Sequence, residues 1–153
     1  MIIRFLLSIL LTACADNAKS SKLDIDNSLL PYYNMFMEDA LVRNRKILPN
    51  VIIKYEKLKR PRVGQCNWLV KTPIVSIDPD YWNASSECRK KLIMYHELGH
   101  CMLFLDHNDS YSNFYNMPQS IMNPSLFEGA WFCYWEKDYV DQLFGLKKKT
   151  FEE

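Results

Sequence analysis

Apolar positions recur along the chain at a few characteristic spacings, and each spacing predicts an element. Phe5 to Leu11 is an apolar stretch, interrupted at Ser8, behind Met1-Ile2-Ile3-Arg4 and too short to span a bilayer. Polar residues fill Ala15 to Asn27, which reads as a flexible tether. Leu29, Leu30, Tyr33, Phe36, Met37 and Leu41 then fall at helical spacing, predicting a helix to about Lys46 with Ser28 as N-cap and Pro31 in its first turn. The β-rich run Val51 to Tyr55, within Asn50 to Leu58, predicts a strand; Pro61 and Gly64 interrupt, and Cys66 to Val70 and Ile74 to Ile77 make two further short strands. Asp78-Pro79-Asp80 predicts a turn. Ser85 or Ser86 can cap a second helix, with Glu87 well placed in its first turn for the helix dipole. Leu92, Ile93, Tyr95, Met102 and Leu103 give that helix apolar surface and carry it to between Leu103 and Leu105. Asn108 to Gln119 is polar with Tyr111, Phe114 and Tyr115 interleaved, either a loop lining a cleft or a buried aromatic cluster. Tyr134, Trp135, Tyr139, Val140, Leu143 and Phe144 predict a last helix ending at Gly145. Helix, small sheet and helices in this order describe an α+β domain.

Composition adds the scale. In 153 residues, 48% hydrophobic and 24% charged, there is material for one core, assigned to residues 28–153 as a single domain and expected to be monomeric. The net charge of +1 supplies no overall field toward nucleic acid, which is excluded as a partner class. Local basic clusters, Lys54, Lys57, Lys59, Arg60 and Arg62, and Lys147 to Lys149, read as solvated surface.

The N-terminal apolar run ends in Leu11-Thr12-Ala13-Cys14, which resembles a bacterial lipobox. The resemblance implies a lipoprotein signal peptide over 1–13, lipidation of Cys14, and a tether over 14–27 holding the protein to the bacterial cell envelope, facing the periplasm or the exterior. Several acyl chains anchor stably where one does not. The alternative is an ordinary signal peptide with an incidental cysteine. Export would place Cys66, Cys88, Cys101 and Cys133 in an oxidising compartment. Cys88 and Cys101 share a predicted helix about 20 Å apart, beyond disulfide reach. Two full pairings remain open; Cys66 with Cys101, tying a strand to the second helix, and Cys88 with Cys133 is preferred over its rival and over four free buried thiols.

The chemistry is concentrated in one window. His96, His100 and His107 are the three histidines of the chain, and they lie within twelve residues. His96 and His100, four apart, stack on one helical face, with Glu97 beside the first. Neutral imidazole suits zinc, and three protein ligands leaving one open position make a catalytic centre. Zn2+ is therefore the expected cofactor, with Glu97 as general base on a zinc-bound water rather than a ligand.

His96-Glu97-Leu98-Gly99-His100, followed by Ser120-Ile121-Met122-Asn123-Pro124, resembles the zinc motif and methionine turn of the metzincin metallopeptidases. Bacterial metallopeptidase lipoproteins look similar, including His-Glu-Leu-Gly-His-Cys with a later histidine. The resemblance implies a small metzincin-like α+β domain: N-terminal helix, short mixed sheet, active-site helix, methionine turn and C-terminal helix. It also implies Met122 as an apolar floor under the ligands, and a peptide or protein substrate. Two departures stand out. Leu103 occupies the motif's glycine position, and the usual third-ligand spacing lands on Asp106, one residue before His107. His107 is the preferred third ligand, because imidazole suits zinc and an added residue could replace the missing glycine's turn; Asp106 is the alternative, or an orienting partner. A gluzincin-like arrangement would instead use Glu128 or Glu136. If the clan architecture holds, Ile74 to Asp78 is the best candidate for an edge strand above the cleft, where a peptide could pair; a covered interior strand is the equal alternative. The competing function is a non-catalytic zinc-containing envelope lipoprotein with a binding or structural role.

Overall fold

A computed structural model describes residues 23–47, 49–112 and 116–146. The expected signal peptide, Cys14, Phe114, Tyr115 and the lysines 147–149 lie outside them. The described residues form a small α+β domain with the elements β1 (Asp24–Ile25), α1 (Leu30–Val42), β2 (Ile52–Tyr55), β3 (Gly64–Asn67), β4 (Ile74–Ile77), α2 (Pro79–Ala84), α3 (Glu87–Leu103), α4 (Gly129–Tyr134) and α5 (Glu136–Leu143). The mixed sheet runs in the order β1-β2-β4-β3, with β1, β2 and β4 parallel and β3 antiparallel. Among the described residues no helix is long and apolar enough to cross a membrane.

Local chemistry sets the boundaries, several of which differ from the sequence reading. Asp24 and Ile25, expected in the tether, pair in parallel with Ile52 and Ile53 and so belong to the fold. Ser28 does not cap α1. It hydrogen-bonds Asp26 through both its N–H and Oγ, while the Asp26 carbonyl takes the N–H groups of Leu29 and Leu30, so the helix begins two residues later. That helix stops at Val42, short of Lys46, because Asn44 adopts φ 55° and the Arg45 N–H folds back to the Ala40 carbonyl. Leu29, Tyr32, Phe36 and Ala40 carry its buried face, whereas Leu41 stands in solvent.

Asp78 turns the chain as expected, yet it also caps a helix that the pattern did not reveal. Its carboxylate accepts from the N–H groups of Asp80 and Tyr81, starting α2 on Pro79, and also from Leu58. Ser86 caps α3 by accepting from the Arg89 N–H. The last helical pattern divides at Trp135 into α4 and α5. Of its two expected positions, β4 takes the covered one: it lies between β2 and β3, and β3 is the edge strand on that side of the sheet.

One core joins residues of α1, α3 and α5 with Val51, Ile53, Val75 and Ile77. Phe36 meets Tyr95 edge-on at 5.2 Å and Phe144 at the same distance. Two disulfides tie α3 outward, one at each end: Cys88 to Cys133 in α4, and Cys101 to Cys66 in β3, each with Cα atoms 5.6 Å apart. This is the preferred pairing of the two left open by the sequence.

Candidate metal centre

Helix α3 presents His96 and His100 on one face, and the chain returns from its end to bring in His107. The return needs a left-handed residue, which is normally a glycine's role. Phe104 takes it, at φ 55°, one residue beyond the position where the metzincin motif has glycine. The single added residue thus displaces both the turn and the third histidine, and the Leu105 N–H closes on the Gly99 carbonyl.

The ligand atoms available on His96, His100 and His107 lie within 4.8 Å of one another, so the three could hold a metal ion. Backbone carbonyls fix the two helical imidazoles: His96 Nδ1 donates to Ile121 O at 2.8 Å, and His100 Nδ1 to Leu105 O at 2.6 Å. Each ring is then held with Nε2 as the free lone pair. Those two Nε2 atoms are 3.1 Å apart. Two nitrogens on one tetrahedral zinc, at the usual bond length, would be about 3.3 Å apart. The two helical nitrogens are therefore spaced as one shared metal ion would hold them. Burial pushes the His96 imidazole down to about 4, with the neighbouring histidines adding to the effect, and lowers His100 as well, so both favour the neutral form that metals bind.

Asp106 lines the same cleft but is outside the three-nitrogen group. Glu128 and Glu136 are engaged elsewhere, with Arg89 and Lys91. Met122 is buried beneath α3; a Cβ on Gly99, between the two helical ligands, would come to 2.5 Å from its Sδ. Its N–H bonds Ser120 Oγ, and its carbonyl receives the Asn108 N–H from the segment that follows His107. The turn therefore braces the ligand helix and the third-ligand segment together.

Glu97 is buried beside this group, and the Cys66 N–H of β3 donates to its carboxylate. Burial pushes the carboxyl up to about 8, opposed in part by that N–H. A Cβ on Gly64 would overlap the Glu97 carboxylate, so the space for the acid is made by a glycine. The sequence carried no sign of these partners. Gly64 read only as a strand breaker, and the carbonyls of Leu105 and Ile121 and the N–H of Cys66 are backbone groups that no residue type announces. In front of the histidines lies an open cleft of ≈ 760 Å³, lined on the β3 side by Arg62, Gly64, Gln65, Cys66 and Trp68 and opposite by Pro124 to Leu126. Tyr111, expected either at the cleft or in a buried aromatic cluster, is exposed and pairs in an isolated bridge with Pro118. No protein-family model, no curated protein and no solved structure matches the chain.

Proposed function

We propose that the protein is a zinc-dependent, metzincin-like peptidase held at the bacterial envelope by lipid on Cys14. The observation that carries the reading is one arrangement: three histidine nitrogens converging at an open cleft, with the buried carboxylate of Glu97, which has no cationic partner among the described residues, next to them. A structural metal site would be closed and would have no use for such a carboxylate. Zinc, when bound, supplies a Lewis acid that polarises the scissile carbonyl and acidifies water.

The remaining work falls to the chain itself. Glu97 removes a proton from the attacking water and returns it to the departing amine, and the Cys66 N–H holds its carboxylate in place for both transfers. Substrate pairs along β3 rather than β4. Because the Cys66 N–H points away from β4, the alternation of an antiparallel ladder turns the backbone groups of Gly64 and Cys66 to the outer edge; Glu97 takes the Cys66 N–H, and the peptide pairs with the others. His96 and His100 keep their ligand geometry through the Ile121 and Leu105 carbonyls, and Met122 keeps the helix that bears them from shifting.

Glu97→Gln tests this directly. Bound zinc should stay stoichiometric while cleavage of a mixed peptide library falls by about 10²-fold or more, the scale of a lost general base. A wild-type chain that binds zinc and cuts no peptide would instead support a non-catalytic zinc lipoprotein.

A further inference from the structure

Exposed apolar side chains are concentrated at one end of the domain. The register Asp24, Ile52, Ile74, Asn67 across the sheet aligns the starts of β1, β2 and β4 with the finish of β3. Leu23, just before β1, and the loop that follows Asn67 therefore emerge at the same end. That loop begins Trp68-Leu69-Val70, exposed by 54%, 80% and 40%. Helix α1 brings two more. It lies alongside α3, with Tyr32 bonded to Glu87 and Asp39 to Tyr95, and farther along α3 Cys101 Sγ reaches the Ile74 carbonyl at the start of β4. The finish of α1 thus returns to this end, where Leu41 and Val42 are 75% and 80% exposed. Scattered surface leucines need no explanation, but an apolar cluster from three separate segments does.

Charge indicates what covers it. Segments 41–47 and 67–74 contain no acidic residue, and their Arg45, Lys46 and Lys71 are exposed, with no acidic partner among the described residues; Asp24 and Glu38 are carboxylates of the adjoining segments. The chain that precedes Leu23 also arrives here. Leu23 is nine positions on from Cys14, a reach of no more than about 32 Å when extended. β1 and β3 are three strand spacings apart, about 14 Å, so a surface that holds Cys14 is within reach of the loop.

We propose that this end of the domain is a membrane-contact face: Trp68, Leu69 and Val70, flanked by Leu41 and Val42, enter the interfacial layer of an anionic bilayer, and Arg45, Lys46 and Lys71 meet its headgroups. Tryptophan suits that layer, with an apolar ring and a polar N–H, and basic residues add attraction to anionic lipid. Trp68 also lines the cleft, so the face brings the candidate active site to the level of the membrane surface.

The test uses the full chain in vesicles of phosphatidylglycerol and phosphatidylethanolamine carrying a shallow doxyl-labelled acyl chain. Intact mass records separately whether Cys14 is acylated. Tryptophan emission is compared for wild type, Trp68→Phe and Leu69→Asp. The component of emission that Trp68→Phe removes should be quenched about twofold by the doxyl label and shielded from aqueous iodide. Leu69→Asp should abolish that quenching while leaving cleavage of a soluble peptide unchanged. Absence of doxyl quenching, or equal quenching in wild type and Trp68→Phe, overturns the proposal whether or not Cys14 carries lipid, and is the result expected if a protein covers this face. Quenching retained with no peptide cleavage counts against the peptidase reading alone.

Discussion

Glu97 fits beside the histidines because residue 64 has no side chain. Gly64→Ala would drive a methyl into its carboxylate, and a catalytic group displaced by about 1 Å can cost about 100-fold in rate. We therefore expect kcat/KM to fall on that scale in Gly64→Ala with zinc stoichiometry intact; an unchanged rate would mean that the carboxylate's position does not matter. The neighbouring residues 106 and 107 separate in the same way. His107 contributes a nitrogen to the group and Asp106 does not. Zinc affinity measured by competition with a chelator should collapse in His107→Ala, by more than about 100-fold, whereas Asp106→Ala should lose about tenfold at most, the lower range for a group that only orients ligands. The reverse order would reassign the third ligand.

At the level of elements, the two disulfides look equivalent but do different things. Cys88–Cys133 fastens α4 to the start of α3, remote from the cleft, whereas Cys101–Cys66 fastens the edge strand to the ligand helix at the strand position whose N–H holds Glu97. Removing either pair by double serine substitution should cost about 2–4 kcal/mol in urea unfolding, the usual range for loops of this size. Only loss of Cys66–Cys101 should also lower kcat at saturating zinc, because β3 then loses its fixed distance from α3. Equal rates for the two variants would show that the bond does not position the base. The edge strand illustrates what spacing alone leaves open: the apolar run of β4 suited an edge above the cleft as well as a covered place, but Ile74–Ile77 is covered by a strand on each side, and it is the more polar β3 that borders the site.

Across the whole molecule, α1, α3 and α5 are joined by a polar network as well as by the core. Arg43 bonds Asp39 and Asp141, Lys137 reaches Asp141, Tyr95 donates to Asp39, and Lys91 pairs with Glu136. For Asp141 burial acts to raise the pKa, but the hydrogen bonds and charges of Lys137 and Arg43 outweigh it and leave the carboxyl below its ordinary value of 3.8. A folded-state value lower than the unfolded one gives stability that is present above the unfolded pKa and lost as pH falls through the folded one. Thermal unfolding scanned from pH 7 downward should hold steady until about pH 4 and then decline, with a shallower acid limb in Asp141→Asn; an identical limb would remove Asp141 from the account. The sequence by itself determined the ligand chemistry, since histidine spacing on a helix is a local property, and it determined the α+β order and the main helix and strand runs for the same reason. It also narrowed the cysteine pairings, because helical rise excludes one of them. Tertiary structure alone decided which strand is the edge, that Leu41 faces outward despite its periodic spacing, and that Phe104 makes the turn that brings His107 rather than Asp106 to the other imidazoles. It also decided that backbone groups of Cys66, Leu105 and Ile121 hold the site. Those outcomes depend on which segments meet in space, and periodicity along a chain records only which face of each segment is apolar.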